Sequence, residues 1–236
     1  MVSEFVNLDM PSLYALLFIV LIGLPHGAFD GAIAAHLAAK QSALNLLKFI
    51  GYYLITAALV IAAWVNWPKQ MLALFLMISV LHFGWGDATK KSGLPLFTQI
   101  VVHGGIPVFG IAYFHPADVK ALFDMMTFGA SELAMQLSQV AIPIIICLGV
   151  VYAGLALKEK SLRVRFMEFL IVTALVAFLP PLVGFAIYFC LIHTCRHIFR
   201  VWRVLAIVNS PKVLITQALG YTIFSWFLGW LAFLYL

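Results

Sequence analysis

The chain has 236 residues, 64% of them hydrophobic and 10% charged, whereas a soluble domain has about 45–50% apolar and about 25% charged residues. That composition excludes a soluble globular domain and places nearly all of the chain in lipid. The net charge of +5 therefore speaks of orientation in a membrane and gives no ground for a nucleic-acid partner.

A helix needs about 20 apolar residues to cross the hydrocarbon core. Stretches of that kind lie at 12–37, 46–66, 70–89, 96–115, 133–156, 164–180, 182–205 and 213–235. The expected fold is all-α: a single domain over 1–236, a polytopic bundle of about eight transmembrane helices, multi-pass in the cell membrane. Before the first span stand Glu4 and Asp9, with no basic residue ahead of Lys40. That is not a secretory signal, so the first span is expected to be retained. His103, Gly104, Gly105 and Pro107 interrupt the fourth span, and Pro180 and Pro181 divide the sixth from the seventh. The longest connection is 116–132. Cys147, Cys190 and Cys195 lie in apolar stretches without ligand spacing, and are expected to be small buried hydrophobes.

The basic residues give the orientation. Lys40 and Lys48 follow span one, Lys90 and Lys91 span three, and Lys158, Lys160, Arg163 and Arg165 span five. Arg196, Arg200, Arg203 and Lys212 close span seven. All of the 14 lysines and arginines except Lys69 and Lys120 thus fall on one side. Glu4, Asp9, Asp118, Asp124 and Glu132 fall opposite. By the positive-inside rule both termini face out; a seven-span chain would scramble the pattern.

Polar groups within spans are costly and mark function by default. Span one holds His26 and Asp30, span three His82 and Asp87, span four His103, and span seven His193 and His197. His36 and His115 sit at span ends. Spans one, three and seven run in the same direction, so His26, His82, His193 and His197 fall at similar depth in the cytoplasmic half. His193 and His197, four apart, share a helix face. Two imidazoles on one face and two from other helices can enclose one metal ion. Asp30, four after His26, is expected to orient it as a carboxylate commonly does. Asp87, five after His82, suits a histidine of another helix. His103 is left open as a further ligand, a hydrogen-bonding support or a packing residue. Gly23, Gly27 and Gly31 have the GxxxG spacing that lets helices approach closely, and Pro25 bends the helix around His26.

An all-imidazole site suits iron, copper, zinc or nickel. Four neutral ligands would leave Fe(II) open positions for oxygen, which points to a membrane oxygenase for a lipid-soluble substrate. A histidine-based metal transporter is one alternative. No lysine lies mid-span, so the chain is not itself a rhodopsin. Phe29, Phe83, Trp85, Tyr188 and Phe189, next to the histidines, are candidates to line a tunnel for a long conjugated molecule.

GLPHGAFD in span one, HFGWGD in span three and FCLIHTCRHIF in span seven resemble the Brp/Blh family of bacterial and archaeal membrane β-carotene 15,15'-dioxygenases. The resemblance covers about 20–205, and it leaves another carotenoid-modifying membrane enzyme as a further alternative. It implies central cleavage of β-carotene by O2 into two all-trans-retinal molecules, as chromophore for a microbial rhodopsin. It implies a non-haem Fe(II) on His26 through PHG, His82 through HFG, and His193 and His197 through HTCRH. The family commonly has a basic residue where this chain has His103, so His103 is not carried over as a ligand.

Overall fold

The computed structural model describes residues 9–23, 25, 27, 43–90, 92–205 and 211–235. They form helices, with no strand among them. In chain order these are α1 (Met10–Gly23), α2 (Ala43–Asn66), α3 (Pro68–Asp87), α4 (Gly93–Phe114), α5 (Pro116–Thr127), α6 (Glu132–Lys158), α7 (Lys160–Phe178), α8 (181–205) and α9 (Pro211–Tyr235). Pro68, Pro116, Pro181 and Pro211 each open a helix. There the missing N–H costs nothing and the fixed φ suits the first turn. Asp9 caps α1 by accepting from the Ser12 amide at 3.2 Å.

Among the described residues, five helices are long and apolar enough to cross a membrane: Leu47–Asn66, Pro68–Asp87, Gly93–Phe114, Glu132–Lys158 and Pro181–Arg203. They correspond to expected spans two, three, four, five and seven. Expected spans six and eight are the helices α7 and α9. The first half of α7 carries Lys160, Arg163, Arg165 and Glu168, which sets it apart from the apolar five. In span one a continuous helix is described to Gly23, with Pro25 in a turn and Gly27 helical beyond it.

One expectation needs correction, that on the cysteines, and one connection holds a further helix. The connection 116–132 contains the helix α5, whose end turns through Phe128 and Gly129 at positive φ, 54° and 91°. Its Asp118, Lys120 and Asp124 make it unlike a span, so a search for apolar runs passes over it. Of the cysteines, Cys190 is buried but Cys147 and Cys195 are exposed. In a membrane protein an outward thiol meets lipid, so an apolar stretch does not imply an interior position.

The chain divides into two compact units, Met1–Ala62 with Phe189–Leu236, and Ala63–Tyr188. The centre of the second unit is the crossing of α3 and α4. A Cβ added to Gly84 would run into the Ile100 carbonyl, and one added to Gly104 into the Val80 carbonyl. The two backbones touch, as small residues permit. Beside them, a Cβ on Gly105 would collide with the Ile145 side chain of α6.

Buried polar groups of this unit find partners inside it. Gln99, fully buried, accepts from the Thr89 amide at 2.8 Å and its hydroxyl at 3.0 Å, and donates to the Pro95 carbonyl at 2.9 Å. It thereby fixes the turn between α3 and α4. His115 Nε2 donates to the Val176 carbonyl at 3.0 Å, whose helical partner four residues on would be Pro180, which has no N–H. At the α6–α7 connection Lys90 pairs with Glu159. The hydrogen bonds from Lys90 and Ser161 hold the Glu159 carboxyl below its ordinary value.

The touching backbones give a direct test. Gly84→Ala should destabilise the protein by about 1–3 kcal/mol, the usual cost of overpacking, read as a lower unfolding temperature in detergent. An unchanged temperature would mean that the α3–α4 crossing tolerates a wider spacing.

Candidate functional site

The helices that carry the sequence motifs are not regular. Each of α1, α4 and α8 widens into a π segment: Ile19–Gly23, Ile106–Gly110 and Ile187–Thr194. Such widenings are rare and concentrate at functional sites. Pro107 lies within the second and Pro25 follows the first, and π adjustment is one way in which a membrane helix satisfies the carbonyl that a proline orphans. The third contains no proline, and it contains His193.

In the first unit, α8 displays a ladder of rings. Phe189 and His193 stack at 6.2 Å between centroids and 14° between planes. His193 and His197 follow at 6.5 Å and 19°. The expectation that residues 193 and 197 share a face is met. His193 is 1% exposed and His197 is half-buried.

The end of α1 is fastened beside this ladder. A Cβ on Gly23 would collide with the Phe189 ring and lie 3.4 Å from Cys190 Sγ. The Cys190 thiol donates to the Phe18 carbonyl at 3.6 Å, and Trp226 Nε1 of α9 to the Val20 carbonyl at 2.9 Å. The close approach expected of the glycines holds at Gly23. At Gly27 a Cβ would meet nothing within 4 Å among the described residues. His26, Phe29, Asp30, Gly31 and His36 lie outside the described residues.

The second unit holds the α3 candidates. His82 and Trp85 are on the exposed face of α3, Trp85 at 67%. Phe83 and Asp87 are on its buried face. Tyr188, 1% exposed, meets Phe83 edge-on at 5.6 Å and donates its hydroxyl to Asp87 Oδ2 at 2.9 Å. Phe185 completes the group, 6.3 Å from Phe83. The structure thus brings Phe83, Asp87 and Tyr188 together here, and Phe189, His193 and His197 in the first unit.

His103 is 4% exposed. Its Nε2 is 3.4 Å from the Tyr152 hydroxyl, and its ring meets Tyr152 and Phe169 edge-on at 5.7 and 6.1 Å. Sequence reasoning missed Tyr152 and Gln99, although a buried hydroxyl or amide in a span is the same kind of signal as a histidine.

No group of three or more His, Cys, Asp or Glu that could hold a metal ion occurs among the described residues. Of the four expected ligands, His193 and His197 stand together, His82 belongs to the other unit, and His26 is not described. One buried and one half-buried imidazole on one face are half of a four-imidazole donor set of the kind that suits iron, copper, zinc or nickel.

These features define a helical membrane protein with a paired-imidazole site on a distorted helix. The chain belongs to the family described as Beta-carotene 15,15'-dioxygenase, which matches residues 17–236. It is 32% identical over 219 residues to "Beta-carotene 15,15'-dioxygenase" of Uncultured marine bacterium 66A03, covering 91% of this chain and 78% of that one. It is 25% identical over 212 residues to "Probable beta-carotene 15,15'-dioxygenase Blh" of Halobacterium salinarum (strain ATCC 700922 / JCM 11081 / NRC-1), covering 77% of this chain and 59% of that one. No solved structure matches it significantly.

His103→Phe separates packing from ligation. Losing the polar contact while leaving Tyr152 buried should cost about 1–3 kcal/mol, read as a lower unfolding temperature, with metal content unchanged. Loss of bound metal in a protein that stays folded would make His103 a ligand instead.

Proposed function

We propose that this chain is a membrane enzyme that cleaves the 15,15' double bond of β-carotene with O2 to give two all-trans-retinal. The reading rests on the stacked His193–His197 pair, beside which Gly23, three residues before His26, packs on Phe189. The names of the two relatives supply the substrate and the reaction.

His26, His82, His193 and His197 hold Fe(II) on this reading, and Asp30 orients His26. Bound Fe(II) supplies the one-electron chemistry that lets O2 react with a closed-shell polyene. The protein's own part is placement and exclusion. His193 and His197 present their imidazoles on one face, and the burial of His193 keeps water from the reacting carbons. Phe29, Phe83, Trp85, Tyr188 and Phe189 are the candidates to contact the polyene. About eight helices span the cell membrane, with both termini outside. The product then serves as chromophore for a microbial rhodopsin.

Expression in β-carotene-producing cells should bleach them and yield retinal, identified by chromatography. His193→Ala and His197→Ala should each abolish the product and lower bound iron. Full activity in either variant would overturn the ligand assignment. Asp30→Asn should weaken activity or iron binding by about 10–100-fold, the usual effect of losing a carboxylate behind a metal-bound histidine. An unchanged variant would reduce Asp30 to a residue of the membrane boundary.

A further inference from the structure

Asp87 is an odd residue for the place that it occupies. It is 1% exposed, and it is the last residue of α3, where the helix dipole disfavours negative charge. A carboxylate buried in such a place is expensive unless it is hydrogen-bonded. Its acceptor Oδ2 takes the hydroxyl of Tyr188 at 2.9 Å.

Tyr188 is the second residue of the π segment Ile187–Thr194. A π turn has poorer intrinsic stability than an α turn, so its start needs fixing from outside when no proline imposes it. The phenol is fixed twice, by Asp87 and by the edge of the Phe83 ring at 5.6 Å. His193 follows five residues later in the same segment. A slip of one residue at its start would turn His193 by about 100°, the step per residue of a helix.

The geometry points to Asp87 and Tyr188 as a positioning pair that fixes the register of the π segment and so aims His193. Neither touches the reacting atoms on this account; both act through the backbone of α8. The inference rests on the proposed role of His193 as a ligand. It also gives the Tyr188 hydroxyl a task different from lining a tunnel, for which the ring alone would serve.

Tyr188→Phe tests it, because it keeps the ring and its contact with Phe83 and removes only the donor. Three measurements on purified protein separate the possibilities. In metal-free protein, hydrogen exchange should quicken across 187–197 in Tyr188→Phe and in Asp87→Ala, and stay unchanged in α6. Asp87→Asn, which still accepts a hydrogen bond, should restore most of the protection. In iron-loaded protein, the electron paramagnetic resonance signal of the ferrous nitrosyl complex should change shape in Tyr188→Phe at full iron content. Its kcat should fall by about tenfold, within the range for groups behind a ligand, with KM nearly unchanged. Wild-type exchange and an unaltered nitrosyl signal in Tyr188→Phe would overturn the proposal, as would a raised KM at unchanged kcat. A wild-type protein that gives no nitrosyl signal would overturn the iron reading itself, and the positioning of His193 would then be judged by hydrogen exchange alone.

Discussion

Pro180 has no N–H to offer the carbonyl of Val176, and Val176 is buried away from water. The imidazole of His115 fills the gap at 3.0 Å. The same constraint runs through the chain: a polar group shut off from water must find its partner inside the protein. Gln99 meets it for the turn after α3, Cys190 and Trp226 for the carbonyls of Phe18 and Val20, and Tyr188 for the carboxylate of Asp87. A chain that is 64% hydrophobic has few polar side chains to spend, and the structure uses several of them to tie elements together.

The histidines differ in what they touch. His115 completes a backbone. His103 is enclosed by Tyr152 and Phe169 and belongs to the packing of its unit. His193 and His197 lie ring over ring on a helix that is π-distorted without a proline to explain it. The glycines sort in the same way. Gly84 and Gly104 let α3 and α4 touch, so two of the residues beside His82 and His103 in the motifs are there for helix contact. Gly23 makes room for Phe189 and so brings the start of the GLPHGAFDG stretch against the α8 ladder.

Much of this was legible from sequence because lipid imposes a length and a helix imposes a period. Spans two to five and seven lie within a few residues of their expected limits, and the i, i+4 spacing of His193 and His197 gave their shared face. What a one-dimensional pattern leaves open is the partner on another helix. Asp87 reads as a support for some histidine, and its hydroxyl donor Tyr188 is 101 residues away. The π segments were hidden because nothing in residues 187–194 breaks an apolar helix. The helix α5 was hidden for the opposite reason: its charges suit a surface helix and lower the hydropathy by which spans are found. Trp85 and Phe83 look alike in sequence, yet two positions along α3 turn one outward and the other in.

The central claim is that an imidazole pair on α8 joins histidines from two other helices around one iron. X-ray absorption spectroscopy of the purified, iron-loaded protein tests it most directly. The account predicts a first shell of nitrogen and oxygen atoms with the outer-shell scattering of about four imidazoles, falling by about one in His193→Ala. An iron shell containing sulfur, or an imidazole count unchanged in His193→Ala, would contradict it.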